Sequence, residues 1–264
     1  MTTINVGFVQ WPENLQVNSE AWDRIAVDVS TARPDVLITN EMPFGPWIAC
    51  TPDFDRSVAE KSILAHIEGI EALSELNLPL IISSRPVWAG DRLANEAFMV
   101  QGTSYSRLHQ KHFFPQELGW HEASWFRTEH EGFDTVQASG ATLGVLLCTE
   151  LMFNERARQY GRANADLIAV PRATGRATAS WRTACAMAAI VSGSYVVSSN
   201  RVGSSEGTPF FGGQGFAFAP DGTLIAETSE KHPLVCFEMD VKISSQQKKE
   251  YPCYVLETVN RVQS

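Results

Sequence analysis

Short apolar runs, each closed by polar or turn-forming residues, recur along the chain at residues 4–10, 36–39, 80–83, 97–101, 142–147, 167–170 and 195–199. Runs of this length without strict alternation predict strands buried on both faces. Between several of them, apolar residues fall at three- and four-residue intervals, the mark of helices with one buried face. Residues 15–32 set Ala21, Trp22, Ile25 and Val29 on such a face, and residues 57–76 set Ile63, Ile67, Ile70 and Leu73 on another. Residues 155–164 and 178–191 read as two more helices. Strands alternating with helices predict an α/β fold with buried sheets. Beyond Phe211-Gly212-Gly213 the pattern becomes one of successive strands, at 216–219, 224–227 and 234–239, with Pro220-Asp221-Gly222 as a tight turn. A last helix is expected over 242–251. No linker rich in Pro, Gly or Ser divides the chain and no repeat is visible, so residues 1–264 read as a single domain.

Charge narrows the classes of partner. Lys and Arg number 21 against 30 Asp and Glu, a formal net charge of −9, and Lys248-Lys249 is the nearest approach to a basic run. Nucleic acid, which needs clustered bases, is therefore not an expected partner. No apolar stretch is long enough to span a bilayer, and the opening residues Met1-Thr2-Thr3-Ile4-Asn5-Val6 lack the basic start and apolar run of a secretory leader. Cys50, Cys148, Cys185, Cys236 and Cys253 are odd in number and free of CxxC spacing. They argue against a disulfide framework and for a reducing, cytoplasmic setting. The pairs His109/His112 and His121/His130 lack a third ligand at convincing spacing, so neither metal nor cofactor is expected.

Three strand ends carry candidate chemistry. Val36-Leu37-Ile38-Thr39-Asn40-Glu41 delivers a carboxylate just past a buried strand. Tyr105-Ser106-Arg107-Leu108-His109-Gln110-Lys111 ends a more polar strand with an ammonium. Leu143-Gly144-Val145-Leu146-Leu147-Cys148-Thr149-Glu150 places a thiol between a strand and a helix. Strand ends are where open α/β folds hold their sites. Singly, the Glu and the Lys read as solvated loop residues and the Cys as core filler. If the three converge, a helix N-terminus and a nearby ammonium favour the thiolate. A carboxylate can then take the thiol proton and return it to a leaving amine, while an ammonium and a backbone N–H hold an oxyanion. The gaps of 70 and 37 residues do not by themselves establish convergence.

Taken in order, these segments resemble the nitrilase superfamily of carbon–nitrogen hydrolases. The resemblance runs over nearly the whole chain, through Asn5-Val6-Gly7-Phe8-Val9-Gln10, Asn95-Glu96-Ala97, Lys111-His112-Phe113-Phe114-Pro115-Gln116-Glu117, Ala165-Asp166-Leu167-Ile168-Ala169-Val170-Pro171, Tyr195-Val196-Val197-Ser198-Ser199-Asn200 and Phe211-Gly212-Gly213. It implies a four-layer α-β-β-α sandwich and a Glu-Lys-Cys triad in which Glu41 is the general base, Lys111 the lysine and Cys148 the nucleophile. It also implies a second active-site glutamate at Glu117, an oxyanion donor in the backbone N–H of Thr149, and dimers or larger homo-oligomers. The helix after Cys148 and the tail around 251–254 are where the assembly face is expected. The chain departs from the pattern at Thr149, where the family commonly has an aromatic residue, at Phe153-Asn154-Glu155 in place of Phe-Pro-Glu, and at Ser180-Trp181 in place of His-Trp.

Thr149 tilts the reading toward an amidase acting on a small linear amide, N-carbamoyl compounds included, through a Cys thioester. Nitrile hydrolysis, acyl transfer to another nucleophile and a catalytically silent binding protein of the same fold are the alternatives. Arg172 and Arg176 follow a strand expected to end near the nucleophile, and Arg172 is the candidate clamp for a substrate carboxylate. Trp47 is a candidate pocket wall, with ordinary packing as its other reading.

Overall fold

The computed structural model describes residues 3–256. The chain opens with β1 (Thr3–Val9), α1 (Glu20–Ala32), β2 (Val36–Ile38) and α2 (Arg56–Glu75), followed by the meander β3 (Leu80–Ala89), β4 (Arg92–Gln101) and β5 (Ser104–Gln110). A short hairpin of β6 (Gln116–Glu117) and β7 (Trp120–His121) leads into the single turn α3 (Glu122–Trp125). The second half runs β8 (Val136–Ala138), β9 (Ala141–Val145), a 3-10 turn Cys148–Met152, α4 (Asn154–Arg162), β10 (Leu167–Val170), α5 (Thr178–Ser192) and β11 (Tyr195–Ser198). A small hairpin, β12 (Val202–Gly203) with β13 (Phe211–Gly212), precedes β14 (Phe216–Phe218), β15 (Leu224–Glu227), β16 (Leu234–Asp240) and α6 (Val241–Gln247).

Two six-stranded sheets result, in the orders β16-β1-β2-β3-β4-β5 and β15-β14-β11-β10-β9-β8. Each has a parallel centre, β1–β2–β3 in one and β9–β10–β11 in the other, with antiparallel strands added outside. Val6, Ile38, Ile82, Leu143, Leu167 and Val197 meet between the sheets. Trp22, Val29 and Leu73 of α1 and α2 cover the outer face of the first sheet. Tyr160, Ala184 and Ala188 of α4 and α5 cover the second. The layers are therefore helix, sheet, sheet, helix, as the resemblance implies, and they fit the rule that parallel strands with both faces apolar are covered on both sides.

Boundaries moved for identifiable reasons. The first helix begins at Glu20 rather than Leu15, since Ser19 caps it by accepting from the Trp22 N–H. Leu15 instead pairs with Phe44. Of the expected α2 face, Leu73 is buried and Ile63 and Ile70 pack half-buried against the core, but Ile67 turns outward. Ala59, Ser62, His66, Gly69 and Leu73 point inward, and Ile67 is 43 % exposed. Gly69 explains the rotation: the Phe44 ring lies against it so closely that a Cβ would sit 2.1 Å from Phe44 Cδ2. The last helix closes at Gln247, four residues short of the expected end.

Candidate active site

Glu41 lies three residues beyond β2, fully buried in a loop fixed by side chains. Thr39 Oγ1 donates to Ser83 Oγ at 2.6 Å, and Asn40 bonds both the N–H and the carbonyl of Trp11. The Met42 N–H donates to Ser84 Oγ, with Met42 itself in the left-handed region at φ 42°. Behind this loop the buried Arg201 guanidinium donates to the carbonyls of Glu41, Met42 and Gly45 and pairs with Glu13.

Lys111 follows β5, its N–H tied to the Asn95 carbonyl at 2.9 Å. Its buried ammonium donates to Glu41 Oε1 at 2.8 Å and to Glu122 Oε2 at 2.6 Å. Asn95 Nδ2 donates to the same Glu41 Oε1 at 2.8 Å. Glu41 Oε2 is buried and has no partner among the described residues. One oxygen of this carboxylate is thus clamped by two donors while the other stays open, an arrangement suited to a proton acceptor. Burial works against the charge of Lys111, but Glu122 and Glu41 outweigh it and hold the ammonium above its ordinary pKa. Burial pushes Glu122 up to about 7, against the opposing pull of Lys111 and with the help of the Glu41 charge.

Cys148 comes three residues beyond β9, at φ 50°. A non-glycine residue in the left-handed region is strained, and such strain at a strand-to-turn corner lifts a nucleophile out of the sheet. Glu150 holds the corner. Its Oε2 accepts from the Leu147 N–H and from His109 Nε2, both at 2.8 Å, and its Oε1 accepts from the His112 N–H at 2.7 Å. The Cys148 N–H is taken by the Pro171 carbonyl at 3.0 Å, so the first N–H past the thiol that can turn toward a substrate is that of Thr149. The lowering of the thiol pKa expected from a helix N-terminus and Lys111 is outweighed here. Burial and the Glu41 charge push the Cys148 thiol well up, more than Lys111 draws it down, and the element that follows is a 3-10 turn, too short for a full helix dipole. This environment favours the protonated sulfur, and attack from it is helped by a base that takes the proton in the same step.

Cys148, Thr149 and Glu122 open onto one cavity of about 240 Å³, walled by Trp120, Trp181 and Ala173. The carboxylate against Lys111 is Glu122, not Glu117. Glu117 is exposed on β6, in a hairpin that turns it to the cavity rim. Arg172 does not face the cavity as a clamp. It is fully buried, and its guanidinium is spent on Ser198 Oγ, Thr174 Oγ1 and the Gln214 carbonyl. Trp47 is buried against Phe211 and does not line the cavity. Glu122 and Asn95 were the residues missed. The sole hint of Glu122 was an acid shortly after Lys111, and Glu117 offered the same hint five residues earlier. His109 and His112 do have a third neighbour, Glu150, but it comes from another strand end. The Phe133 N–H donates to His109 Nδ1, His112 Nδ1 meets the Gln110 carbonyl, and Glu150 is spent on the bonds above, so the trio already serves the corner.

Residues 11–247 match the family model for carbon-nitrogen hydrolases, and the chain belongs to that family. An N-carbamoylputrescine amidase of Arabidopsis thaliana is 27% identical over 158 residues, 53% of this chain and 53% of the relative, so the chain spans about half the length of that curated relative. A carbon-nitrogen hydrolase from Helicobacter pylori G27 has the same fold, with a TM-score of 0.83 at 19% identity over 96% of this chain and 94% of that one. A mutant of an amidase from Nesterenkonia sp. AN1, with a TM-score of 0.74 at 16% identity over 95% of each chain, was solved with the acetamide moiety of fluoroacetamide covalently added at its active site cysteine.

Proposed function

We propose that the chain, acting as one hydrolase domain, cleaves the C–N bond of a small linear amide through a thioester on Cys148. The buried Glu41 Oε2, without a partner among the described residues, carries this reading: it is a base with one oxygen pinned and one open, in a site that favours the protonated sulfur. Cys148 Sγ attacks the carbonyl carbon as Glu41 Oε2 accepts the thiol proton, and the carbonyl electrons move onto oxygen. The Thr149 N–H and the Lys111 ammonium hold that oxyanion. Collapse breaks the C–N bond, with Glu41 returning the proton to the departing ammonia or amine. Glu41 then takes a proton from water as it attacks the thioester, and the C–S bond breaks to give the acid and the thiol. Glu122 and Asn95 do not touch substrate in this scheme; they fix the Lys111 and Glu41 head groups. Membership of the carbon-nitrogen hydrolase family and the adduct on the Nesterenkonia cysteine support the reading.

The test is intact mass spectrometry of the protein mixed with short amides, carbamoyl compounds and nitriles, with ammonia release followed in parallel. An acyl adduct on Cys148 together with ammonia from an amide is the expected result. Turnover by Cys148→Ala, or ammonia from nitriles alone, overturns it.

The chain is further read as a homo-oligomer of a reducing, cytoplasmic compartment. Tyr251, Tyr254 and Leu256 are 75 %, 58 % and 86 % exposed, and the Val255 carbonyl accepts from Arg158 on α4. An apolar tail laid beside a helix face fits burial by a second copy. All five cysteines are unpaired. No helix among the described residues is long and apolar enough to cross a membrane. Sedimentation velocity of the full chain checks the assembly, and a monomer across micromolar concentrations contradicts it.

A further inference from the structure

Arg176, four residues beyond the buried Arg172, stands in a different situation. Its guanidinium lies 3.8 Å over the Phe210 ring and forms no ion pair among the described residues. It lines the cavity that holds Cys148, and it also lines a second, larger one of about 650 Å³. The loop that presents it is pinned, since the Gly212 N–H donates to the Thr174 carbonyl at 2.9 Å. At Gly212 any Cβ would meet the Gly175 carbonyl at 2.5 Å, so the two loops touch backbone to backbone. The larger cavity also carries Gln10, a buried side chain whose Oε1 accepts from the Gln214 N–H at 3.0 Å and Thr228 Oγ1 at 2.9 Å. With its oxygen so held, the Gln10 amide has its Nε2 donor left for a ligand. Lys231 adds a second cation, and Glu230 is the acid of this lining. Glu117 borders only the inner cavity.

An exposed guanidinium with no ion pair among the described residues, resting over an aromatic ring at a cavity wall, can take a carboxylate with paired hydrogen bonds. We propose that the substrate carries an anionic group, a carboxylate, at the end remote from its scissile amide, and that Arg176 receives it between the two cavities with Gln10 Nε2 and Lys231 beside it. The assignment rests on the amide-hydrolase reading above and narrows its substrate class to half-amides of dicarboxylic acids and comparable anionic amides. Arg176 takes the part the sequence suggested for Arg172.

Steady-state kinetics on three matched series tests this: half-amides of straight-chain dicarboxylic acids, neutral monoamides of equal chain length, and ω-amino amides. The half-amides should show kcat/KM at least about tenfold above the neutral series, equivalent to one good charged hydrogen-bond pair. Arg176→Ala should raise KM for half-amides by about tenfold or more with kcat little changed, leave the neutral series within about twofold, and be partly rescued by Arg176→Lys. Equal KM effects on both series, or a preference for ω-amino amides that Glu117→Gln removes, overturns the proposal. Calorimetric binding to Cys148→Ala separates this failure from failure of the hydrolase reading. If the wild type turns over no amide, half-amide binding to Cys148→Ala that is lost in the Cys148→Ala, Arg176→Ala double variant still upholds the anion site. Binding indifferent to Arg176, or none, rejects it.

Discussion

Glu41 and Cys148 each lie three residues past a strand of a parallel trio, one on each sheet. They are held there by different means. The Glu41 loop is fixed from afar: Arg201 reaches it across 160 residues of sequence, Ser83 and Ser84 across more than 40, and Ser199 Oγ donates to the Thr39 carbonyl. The Cys148 corner combines a local restraint, a left-handed φ with Glu150 accepting the Leu147 N–H, and a distant one, the His109 ring and the His112 N–H on the same Glu150 with the Pro171 carbonyl on the Cys148 N–H. A buried charge must be surrounded by partners before it is tolerable, and those partners come from wherever the fold brings donors. A neutral thiol needs only a direction, which a strained backbone supplies for about 1–3 kcal/mol.

Deleting the chemistry on either side should have the largest effect and separate it from folding. Cys148→Ala keeps the corner and its φ but removes the nucleophile, so turnover should fall by about 10⁴-fold or more, with the thermal midpoint nearly unchanged. Glu41→Gln keeps an oxygen for Lys111 and Asn95 yet abolishes the base, and kcat should drop by about 10²–10⁴-fold. An inactive but unfolded Cys148→Ala, seen by circular dichroism, would contradict the view that the thiol is not part of the scaffold.

Glu122 offers a sharper contrast, because it supports the charged side without touching substrate. With its pKa raised to about 7, it gains a proton as pH falls through neutrality, and its grip on Lys111 then weakens. Activity should therefore decline on an acid limb well above the usual carboxylate range. Glu122→Gln should lower kcat by about 10–100-fold and remove that limb, the residual rate staying flat to lower pH. An unchanged pH–rate profile in Glu122→Gln would show that the limb belongs to another group.

The cost of breaking the Cys148 corner should appear in stability. Glu150→Ala leaves the Leu147 and His112 N–H groups and the His109 ring without their acceptor, in a residue fully buried. Each orphaned donor costs about 1–3 kcal/mol, less what water recovers, so a loss of about 2–4 kcal/mol by urea denaturation is expected. A change under about 1 kcal/mol would place the restraint on Cys148 elsewhere.

What was legible in the sequence follows the same division. The sheets, the layering and the strand-end positions of Glu41, Lys111 and Cys148 came from apolar runs and a motif order, both local signals. The groups that surround the charges did not, because their partners lie far apart in sequence and no spacing rule links Asn95 to Glu41 across 54 residues. Arg172 was assigned to substrate on the same local logic, whereas Ser198 and Gln214, 26 and 42 residues away, claim its guanidinium. The slight rotation of α2 was not legible for a related reason: Gly69 carries no hydrophobicity of its own, and only the Phe44 ring shows why it faces inward.

The smallest expected effect concerns the other carboxylate after Lys111. Glu117 and Glu122 are five residues apart, and the hairpin β6–β7 between them turns one to solvent and the other onto the ammonium. Solvent screens an exposed charge at a cavity rim, so Glu117→Gln should change kcat on a neutral amide by less than about twofold and leave the acid limb in place. With an anionic half-amide it should lower KM slightly, since a like charge near the entrance has been removed, and added salt should erase that difference. A loss of kcat comparable to that of Glu122→Gln would mean that the hairpin swings Glu117 inward when substrate binds. The two glutamates would then share the task that the resting geometry gives to Glu122 alone.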